Sequence, residues 1–466
     1  MAPGAILSCN TATTSAGACV VPSAGFSWIG GEITYTGVGT LPLARANSTQ
    51  FALIPLTNVS GLSITNLSVV GSTGPCVWFS AGDSNVNITN LTVSGCTADG
   101  LHFENTSNVT IHGYTSLNSG DDALAWTSET TNATQACGGT AEGLNINNSA
   151  SRGIAVVGGC NLSISDFNIN NTENMGLYAA TESGFNAPFN IKYSNGFVTG
   201  AGSIAGGTGY CVEFFNASFV DVDNVQCRNM ANDGVFIDSV SYATVKNSLF
   251  FNSTAASGIV LEGCTHCDFS NDRIDTIFQS GWFASGSSDL NVSNITFRDC
   301  STNSSGLNRA FWSEAETGQV VVNGIQVIDD QSTATCDIIG GDTNGTSIVQ
   351  VNGIRQFISN GTLSIQPGGE ANELYALGYP ITSGSLGGSS VGANACTSTT
   401  VTVPGAQTFQ TVVVSPTGGT WTTSPLEFFN FDGFVSAANT VTVRECNHNS
   451  SASETPTAET FNVRVQ

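Results

Sequence analysis

The sequence predicts an all-β fold class: a right-handed parallel β-helix of about twelve coils followed by a small C-terminal β-sandwich. Three observations lead to this prediction. Short apolar triplets, each preceded by a turn residue, recur along most of the chain. A second kind of apolar strand recurs between them, with a period near 23 residues. The 53 glycines, with many Ser, Thr and Asn residues and only 12 prolines, favour turns between short strands over long helices.

The triplets predict one strand in every coil. In Leu101-His102-Phe103 and Leu124-Ala125-Trp126, the outer two residues are expected to face the core and the middle residue to point outward. No single unit can bury its inner face alone, so the units must stack. The middle residues then form an outward column of Trp78, His102, Ala125, Ala155, Tyr178, Glu213, Phe236, Val260, Phe283 and Trp312. Exposed aromatic rings in this column would stack on sugar rings or form a subunit interface.

The second kind of strand is predicted to complete each coil. Its centres are Ile64, Ile88, Ile111, Ile146, Ile164, Ile191, Val222, Val245, Phe269 and Val292, with echoes at Val322 and Val351. The longer intervals before Ile146, Ile191 and Val222 are expected to contain loops that could wall a site.

The chain is expected to divide into four segments. These are an N-terminal cap at 1–25, the β-helix at 26–382, a Gly/Ser-rich linker at 383–394 and the C-terminal β-sandwich at 395–466. In the last segment, Cys396 and Cys446 are candidates for a disulfide. The sequences 434–443 and 460–465 resemble C-terminal β-sandwich modules of secreted bacterial and phage-tail proteins. That resemblance implies attachment, trimerisation or capping, and the outer β-helix face is a second candidate surface for a homotrimer.

Composition excludes several classes of protein. A formal net charge of -24 argues against a nucleic-acid partner, because such proteins bind phosphates through clustered basic residues. No stretch has the roughly 18 apolar residues of a membrane span. The 14 cysteines predict an oxidising compartment, hence a secreted or surface-attached protein, and the abundant Asn-x-Ser/Thr sequons make it a candidate glycoprotein. No metal or other cofactor is predicted, because the Cys264–Cys267 motif has no second pair.

Three carboxylates are the candidate catalytic residues. Asp99 and the pair Asp121 and Asp122 are one repeat apart, so they are expected on adjacent coils at the same turn. Close like charges disfavour joint ionisation, which provides an acid and a base from the same residue type. Arg152 follows one coil further on. The alternative is that these residues only make turns, since Asp233-Gly234 repeats the Asp-Gly dipeptide without an acidic pair one coil on.

This region resembles glycoside hydrolase family 28, the polygalacturonases. The family's Asn-Thr-Asp-Gly segment is matched by Thr97-Ala98-Asp99-Gly100, and its Asp-Asp pair by Asp121-Asp122 at the family's spacing. The resemblance implies a pectin lyase-like β-helix in which Asp121 is the general acid and Asp99 and Asp122 activate water. It also implies an inverting hydrolysis, for which the carboxylates need a gap of roughly 6.5–9.5 Å.

Two family motifs are changed. Ser151-Arg152-Gly153 replaces Gly-His-Gly, and Tyr178-Ala179-Ala180 stands where the family has the Arg-Ile-Lys that grips a uronate. Without these cations an acidic protein would repel a polyanion, so a neutral or weakly charged glycan is the expected substrate. Tyr178 is expected to stack on a sugar, Arg152 and Glu182 to hydrogen-bond to it, and His102 and Glu104 to line a subsite.

The sequence therefore predicts a secreted glycoside hydrolase that degrades a polysaccharide. Two alternatives stay open. One is a non-catalytic glycan-binding, fibre or adhesin protein, for which no walled cleft is needed. The other is a β-helix polysaccharide lyase, in which Arg152 would serve as the base beside bound Ca²⁺. A separate acidic set further along, which includes Glu213 and Asp233, is a weaker candidate for a second carbohydrate or Ca²⁺ site.

Overall fold

The structure is a computed structural model. It describes residues 4–10, 19–20, 22–36, 55–56, 58–80, 82–132, 135–204, 209–302, 309–315, 317–318, 320–331, 336, 338–342, 349–358, 364–366, 374–377, 382–386, 389–403, 406, 408, 411–416, 429–455 and 459–465. Every regular element in these ranges is a β-strand, which confirms the all-β fold class. Within the same ranges, no helix has the length and apolar character needed to cross a membrane.

One parallel sheet, called here the small sheet, takes one short strand from each coil. Its thirteen strands pair in chain order, which agrees with the prediction of about twelve coils. They are Pro55–Leu56, Val77–Phe79, Leu101–Glu104, Leu124–Thr127, Ile154–Val157, Leu177–Ala180, Val212–Phe215, Val235–Asp238, Ile259–Glu262, Trp282–Ser285, Arg309–Glu314, Ile338–Asp342 and Ser364–Gln366. Since paired strands lie about 4.8 Å apart, equivalent residues of successive coils are neighbours in space.

A second parallel sheet, the large sheet, carries the rest of each coil. Its 21 strands are Ile6–Asn10, Ser27–Ile29, Glu32–Thr36, Ser63–Ser72, Ser84–Cys96, Ser107–Ser119, Cys137–Ser149, Cys160–Thr172, Phe189–Ala201, Ser218–Met230, Ser241–Lys246, Leu249–Ser253, Thr265–Ser270, Arg273–Asp275, Ser288–Ser293, Thr296–Arg298, Val320–Asn323, Gln326–Asp329, Val349–Asn352, Arg355–Ile358 and Leu374–Leu377. In later coils the long strand becomes two, because Ser241–Lys246 and Leu249–Ser253 both pair with Ser218–Met230. Each coil thus has three sides.

The bend within each long strand is made by a residue with a left-handed backbone. Asn66, Asn90, Asn195 and Asn224 have φ between 53° and 56°, a conformation that Asn tolerates better than other non-glycine residues. Their side chains bond from coil to coil: Nδ2 of Asn90 donates to Oδ1 of Asn66 at 2.9 Å, and Nδ2 of Asn224 donates to Oδ1 of Asn195 at 3.0 Å. The high asparagine content therefore reflects the turns of the solenoid.

The interior is filled by columns of similar residues from successive coils. Phe79, Phe103 and Trp126 stack with ring centroids 5.0 and 5.4 Å apart, and Trp282 and Phe311 stack at 5.4 Å in later coils. All five are 1% exposed or less. The predicted inward positions of the triplets are confirmed, because these rings alternate with the outward residues along each short strand.

The predicted outward column is also confirmed in register, since each of its members pairs with the next along the small sheet. Its exposure differs from the prediction. Ala125 and Ala155 are 1% and 0% exposed, and Tyr178 is 7% exposed. The expectation of a flat open face is wrong for these middle coils, because a loop described below covers them.

The strand centres predicted at Ile146 and Ile191 are wrong. The residues in register with the neighbouring centres are Ala141 and Tyr193. The long strands have buried apolar residues on both sides of their bend, so the spacing of large aliphatic residues alone selects the wrong one.

Seven disulfides use all the cysteines of the chain. They are Cys9–Cys19, Cys76–Cys96, Cys137–Cys160, Cys211–Cys227, Cys264–Cys267, Cys300–Cys336 and Cys396–Cys446. The bond between Cys264 and Cys267 removes both thiolates as zinc ligands. The predicted bond between Cys396 and Cys446 is confirmed.

The C-terminal segment is a β-sandwich of two three-stranded antiparallel sheets. One sheet contains Thr382–Leu386, Val412–Pro416 and Glu459–Val465, and the other contains Cys396–Thr402, Phe429–Ala437 and Thr440–Asn447. Val443 of the second sheet and Val463 of the first share one buried core. Residues 383–386, expected to begin the linker, instead lie in a strand that pairs with Glu459–Val465.

Candidate active site

Three buried carboxylates lie together where two successive strands of the small sheet begin. Asp99 precedes Leu101–Glu104, while Asp121 and Asp122 precede Leu124–Thr127, the next strand in register. One oxygen of each carboxylate lies within 4.8 Å of the other two. Each residue is 7% exposed. The structure thus brings the three predicted acids into one group, called here the acid cluster.

Both carboxylate oxygens of Asp99 have partners. Oδ1 accepts a hydrogen bond from the backbone N–H of Asp122 at 3.0 Å, and Oδ2 lies 2.5 Å from Nδ1 of His102. Nε2 of His102 lies 2.8 Å from Oγ1 of Thr127 on the next strand. His102, which the sequence suggested as a subsite residue, therefore contacts the acid cluster directly.

His102 supplies a positive charge beside these acids. Burial lowers the pKa of its imidazole, but Asp99, Glu104 and Asp122 together raise that pKa above its ordinary value. The two ring nitrogens bridge the Asp99 carboxylate and the Thr127 hydroxyl, which lies on the next strand. This bridge fixes Asp99 in place beside Asp122.

Arg152 supplies a second positive charge, on the other side of the cluster. Its backbone N–H donates to Oδ1 of Asp122 at 3.0 Å, and its Nε lies 3.6 Å from the same oxygen. Its Nη2 lies 2.9 Å from Oε1 of Glu182. The pKa of Asp122 is nevertheless raised, because burial raises it more than Arg152 lowers it, and Asp99 raises it further. Asp122 is therefore a candidate proton carrier.

Tyr178 packs against Arg152 and does not present an open ring. The guanidinium carbon of Arg152 lies 4.2 Å from the ring centroid, and Tyr178 is 7% exposed. The predicted stacking platform is thus absent, because the preceding coil already occupies one face of this ring.

Glu182 pairs with Arg152, and 37% of its side chain is exposed. Burial raises the pKa of Glu104, His102 lowers it and Glu129 raises it.

A loop at 181–188 covers the small sheet beside the acid cluster. Phe185 forms an antiparallel bridge with Glu129 and packs on the outer group that contains Ala125 and Ala155. Nδ2 of Asn186 donates to the carbonyl oxygens of Ser128 and Glu129, both at 3.2 Å. This loop and the segment at 128–132 fall in two of the long intervals predicted to hold walls. The third long interval includes 205–208, which lies outside the described residues.

One oxygen of each of the three carboxylates lies within 4.8 Å of the other two. The gap of roughly 6.5–9.5 Å that an inverting hydrolysis needs applies to the carboxyl groups as a whole, and the inverting mechanism stays a prediction. Three such oxygens could also ligate a cation, but the guanidinium of Arg152 lies beside Asp122 and would repel it.

Part of the acid cluster also has a structural task. Asp233 accepts a hydrogen bond from the backbone N–H of Ser257, one coil on, at 2.6 Å. Asp99 bonds the N–H of Asp122, and Asp122 bonds the N–H of Arg152, in the same way. A carboxylate at this position therefore links neighbouring coils, as the turn interpretation expects. What distinguishes the cluster is the second acid, Asp121, and the two cations.

Glu213 lies near the acid cluster and is a stronger candidate for a functional residue than the sequence suggested. It follows Tyr178 in the outward column. Its Oε2 is buried and has no hydrogen-bond partner in the part of the chain that the structure describes. Burial raises the pKa of Glu213 to about 7, although Arg152 lowers it. Sequence placed Glu213 one coil from Tyr178 but did not predict its burial.

No protein-family model matches the sequence, and no match was found among curated proteins. The catalytic domain of a GH87 alpha-1,3-glucanase in complex with nigerose shares 14% identity at a TM-score of 0.45, covering 58% of this chain and 52% of that one. The A-module of the Azotobacter vinelandii mannuronan C-5 epimerase AlgE4 shares 14% identity at a TM-score of 0.37, covering 79% and 90%. The tailspike of E. coli bacteriophage HK620 in complex with pentasaccharide shares 10% identity at 0.46, covering 98% and 88%. The chain spans about half the length of the glucanase domain.

Proposed function

We propose that the protein is a polysaccharide-active glycoside hydrolase whose catalytic residues are Asp99, Asp121 and Asp122. One observation carries this proposal: three buried carboxylates meet within 4.8 Å, between two cations and beside a covering loop. Burying three like charges together is costly unless protons or cations compensate them. A buried group that can hold and release a proton is suited to acid–base catalysis.

The contacts support a division of roles within the acid cluster. Asp122 is assigned the transferable proton, because burial and Asp99 raise its pKa although Arg152 lowers it. Asp99, whose Oδ2 lies 2.5 Å from Nδ1 of His102, is held in place by that contact. Asp121, the general acid implied by the resemblance to family 28, completes the cluster and acts on the glycosidic oxygen or the attacking water. Arg152, His102 and Thr127 are positioning residues.

A neutral or weakly charged glycan is the proposed substrate class. The surface beside the acid cluster is acidic, with Glu182 and Asp238 close enough to Glu213 to raise the pKa of its carboxyl. Arg152, the guanidinium next to them, is already paired with Asp122 and Glu182. An anionic glycan would therefore be repelled by these acids.

An extracellular or surface location is part of the proposal. Disulfides form and persist in oxidising compartments, and the seven found here staple both the β-helix and the C-terminal sandwich. A homotrimer, assembled through the β-helix or the sandwich, is the proposed assembly and is tested by light scattering.

The test is release of reducing ends from dextran, xylan, galactomannan, alginate and polygalacturonate by the wild type and by Asp99→Asn, Asp121→Asn and Asp122→Asn. In the Asp99 and Asp122 variants Asn can still accept the coil-linking N–H bond, and Asn at any of the three positions cannot titrate. Each variant should therefore fold and lose about 10²–10⁴-fold in rate. Asp233→Asn is the matched control, because Asp233 makes the same bond without an acidic pair beside it. Cleavage that survives in all three variants would refute the roles given to the acid cluster.

A non-catalytic glycan-binding or fibre protein is the second candidate. The bond from Asp233 to Ser257 favours it, since it shows that this column of aspartates has a use without catalysis. Glycan binding that is equal in wild type and variants, with no new reducing ends, would support this candidate. The lyase alternative predicts unsaturated products, which absorb ultraviolet light, and activity that depends on Ca²⁺.

A further inference from the structure

An aromatic pair lies on the same outer face as the acid cluster. Tyr210 and Phe236 stack with ring centroids 4.9 Å apart and planes at 13°. Both rings are partly exposed. Tyr210 occupies the position of Asp122 three coils further on: Gly100 N–H bonds the carbonyl of Asp122, and Gly176 N–H bonds that of Tyr210. At about 4.8 Å per coil, the two positions are roughly 14 Å apart along the helix axis.

Glu213 lies on the same coil as Tyr210, in the strand Val212–Phe215. It pairs in register with Tyr178 on one side and with Phe236 on the other. Its buried Oε2 has no hydrogen-bond partner within the described residues. A buried polar atom of a native protein normally has a partner, so this orphan atom points to a ligand or a bound water. Glu182 and Asp238 lie close enough to raise the pKa of the Glu213 carboxyl, while Arg152 lowers it.

We propose that Tyr210, Glu213 and Phe236 form a second sugar-binding subsite, which holds a neutral unit of the same glycan about three coils from the acid cluster. This proposal rests on the proposed function. The aromatic pair provides an apolar surface for a sugar ring, and a sugar hydroxyl supplies the partner that the Glu213 carboxyl lacks. The glycan would then lie along the helix axis over the small sheet.

The charge of the surroundings selects the ligand class. Burial raises the pKa of Glu213 to about 7, so near neutral pH its carboxyl is partly protonated and hydrogen-bonds to a hydroxyl without a counter-ion. Burial is the largest cause that raises the pKa of the Tyr210 hydroxyl, and the nearby carboxylates of Asp233 and Glu262 raise that pKa further. A uronate or sulfated sugar would meet these acids at close range, whereas a neutral sugar would not.

The competing interpretation is that Tyr210 and Phe236 only pack coil against coil, as Phe79 and Phe103 do inside the core. The two cases differ in exposure, since the core rings are fully buried. They also differ in what a substitution changes: loss of a packing pair lowers stability, whereas loss of a subsite raises KM for oligosaccharides long enough to reach it.

The test uses kinetics on oligosaccharides of increasing length, made from whichever polysaccharide the wild type cleaves. Phe236→Ala is expected to raise KM about tenfold for oligosaccharides long enough to span the four coils from Asp122 to Phe236. It should leave kcat unchanged, and also KM for shorter ones. Glu213→Gln should keep wild-type KM at pH 6 and remove any rise of KM above pH 7. Phe197→Ala, a half-exposed ring on the large sheet, is the control.

The outcomes separate the subsite from the hydrolase proposal. If the wild type cleaves a glycan and Phe236→Ala has the same KM at every length, the subsite is overturned and the hydrolase stands. If the wild type cleaves none, electrophoresis through gels containing dextran, xylan or galactomannan decides. Retardation of the wild type that is lost in Phe236→Ala and kept in Phe197→Ala supports the subsite alone. Retardation that is absent, or unchanged in Phe236→Ala, overturns it together with the hydrolase.

Discussion

Replacing Arg152 by Met tests whether the acid cluster depends on its cation. The Arg152 side chain is 14% exposed and faces Asp122, which is 10% exposed, and Glu182, which is 37% exposed. Met keeps most of the apolar stem that lies over Tyr178 but removes the charge. In the variant, the carboxylates of Asp122 and Glu182 lose their counter-charge.

The expected loss follows from the burial of the pair. Removing one partner of a buried ion pair costs about 3–5 kcal/mol, and the partial exposure of Glu182 places this case at the lower end, at about 3 kcal/mol at pH 8. Arg152 lowers the pKa of Asp122, so its removal raises that pKa further above the ordinary value. Protonation of Asp122 removes its charge, so the loss should shrink as the pH falls through this raised pKa and be smaller at pH 5 than at pH 8.

The assay is guanidinium chloride unfolding of the β-helix, followed by tryptophan fluorescence at both pH values. Arg298→Met is the matched control, because Arg298 also pairs with two acids, Asp299 and Asp330, but is 38% exposed. Its loss should be about 0–1 kcal/mol at either pH. Equal losses for Arg152→Met and Arg298→Met, or a larger loss at pH 5 than at pH 8, would refute the electrostatic account of the cluster.

Three further predictions concern other parts of the molecule. Glu445 is 1% exposed in the sandwich, and burial raises the pKa of its carboxyl to about 7. Its contribution to stability is full below about pH 4.5 and is lost as the pH rises through 7. Glu445→Gln should therefore stabilise the sandwich by up to about 3 kcal/mol at pH 8 and not at pH 4, as measured by thermal unfolding. Excess EDTA should leave the melting temperature and any cleavage unchanged, because Arg152 and His102 already compensate the acid cluster; loss of cleavage would favour the lyase alternative. Gly196→Ala should cost about 1–3 kcal/mol, because its Cβ would collide with the ring of Phe167, and an unchanged unfolding midpoint would contradict that packing.

Sequence periodicity was sufficient for the small sheet and insufficient for the large one. Each short strand carries one apolar triplet after a turn residue, so its register has a single solution, and the whole outward column pairs as predicted. The 13-residue strands have two apolar stretches separated by a bend, so two registers fit the spacing. Ala141 and Tyr193, the residues actually in register, are a small and an aromatic side chain among aliphatic ones, and spacing of aliphatic residues passes over them.

In the candidate site, the sequence predicts which residues are neighbours but not which contacts their side chains make. That Asp99 and Asp122 are neighbours follows from the repeat length, because one coil equals one strand spacing. The contact of His102 with Asp99 and Thr127 depends on the rotamer of one imidazole, and the contact of Arg152 with Tyr178 depends on which way a long side chain lies. Periodicity gives the positions of these residues, while the space left by the covering loop decides their contacts.

Asp121 separates the structural and catalytic interpretations of the cluster. Asp99 and Asp122 each hold the N–H of the next coil, so the fold gives both a reason to be Asp. The backbone bonds of Asp121 place it in register with Ala98 before it, and in the next coil the equivalent residue is Ser151. The neighbouring coils therefore do without an acid at this position, yet Asp121 is 7% exposed beside two other carboxylates.

Asp121 lies beside two other carboxylates, and it is close enough to Arg152 to favour the charged guanidinium. Crowding of three acids is expected to lower stability in return for activity. Asp121→Asn should therefore raise the free energy of unfolding by about 1 kcal/mol at pH 7 while it lowers the cleavage rate about 10²–10⁴-fold. Asp233→Asn should leave cleavage unchanged. A loss of stability in Asp121→Asn, measured by the same guanidinium unfolding, would show that the Asp121 carboxylate supports the coil and would favour the structural role of the cluster.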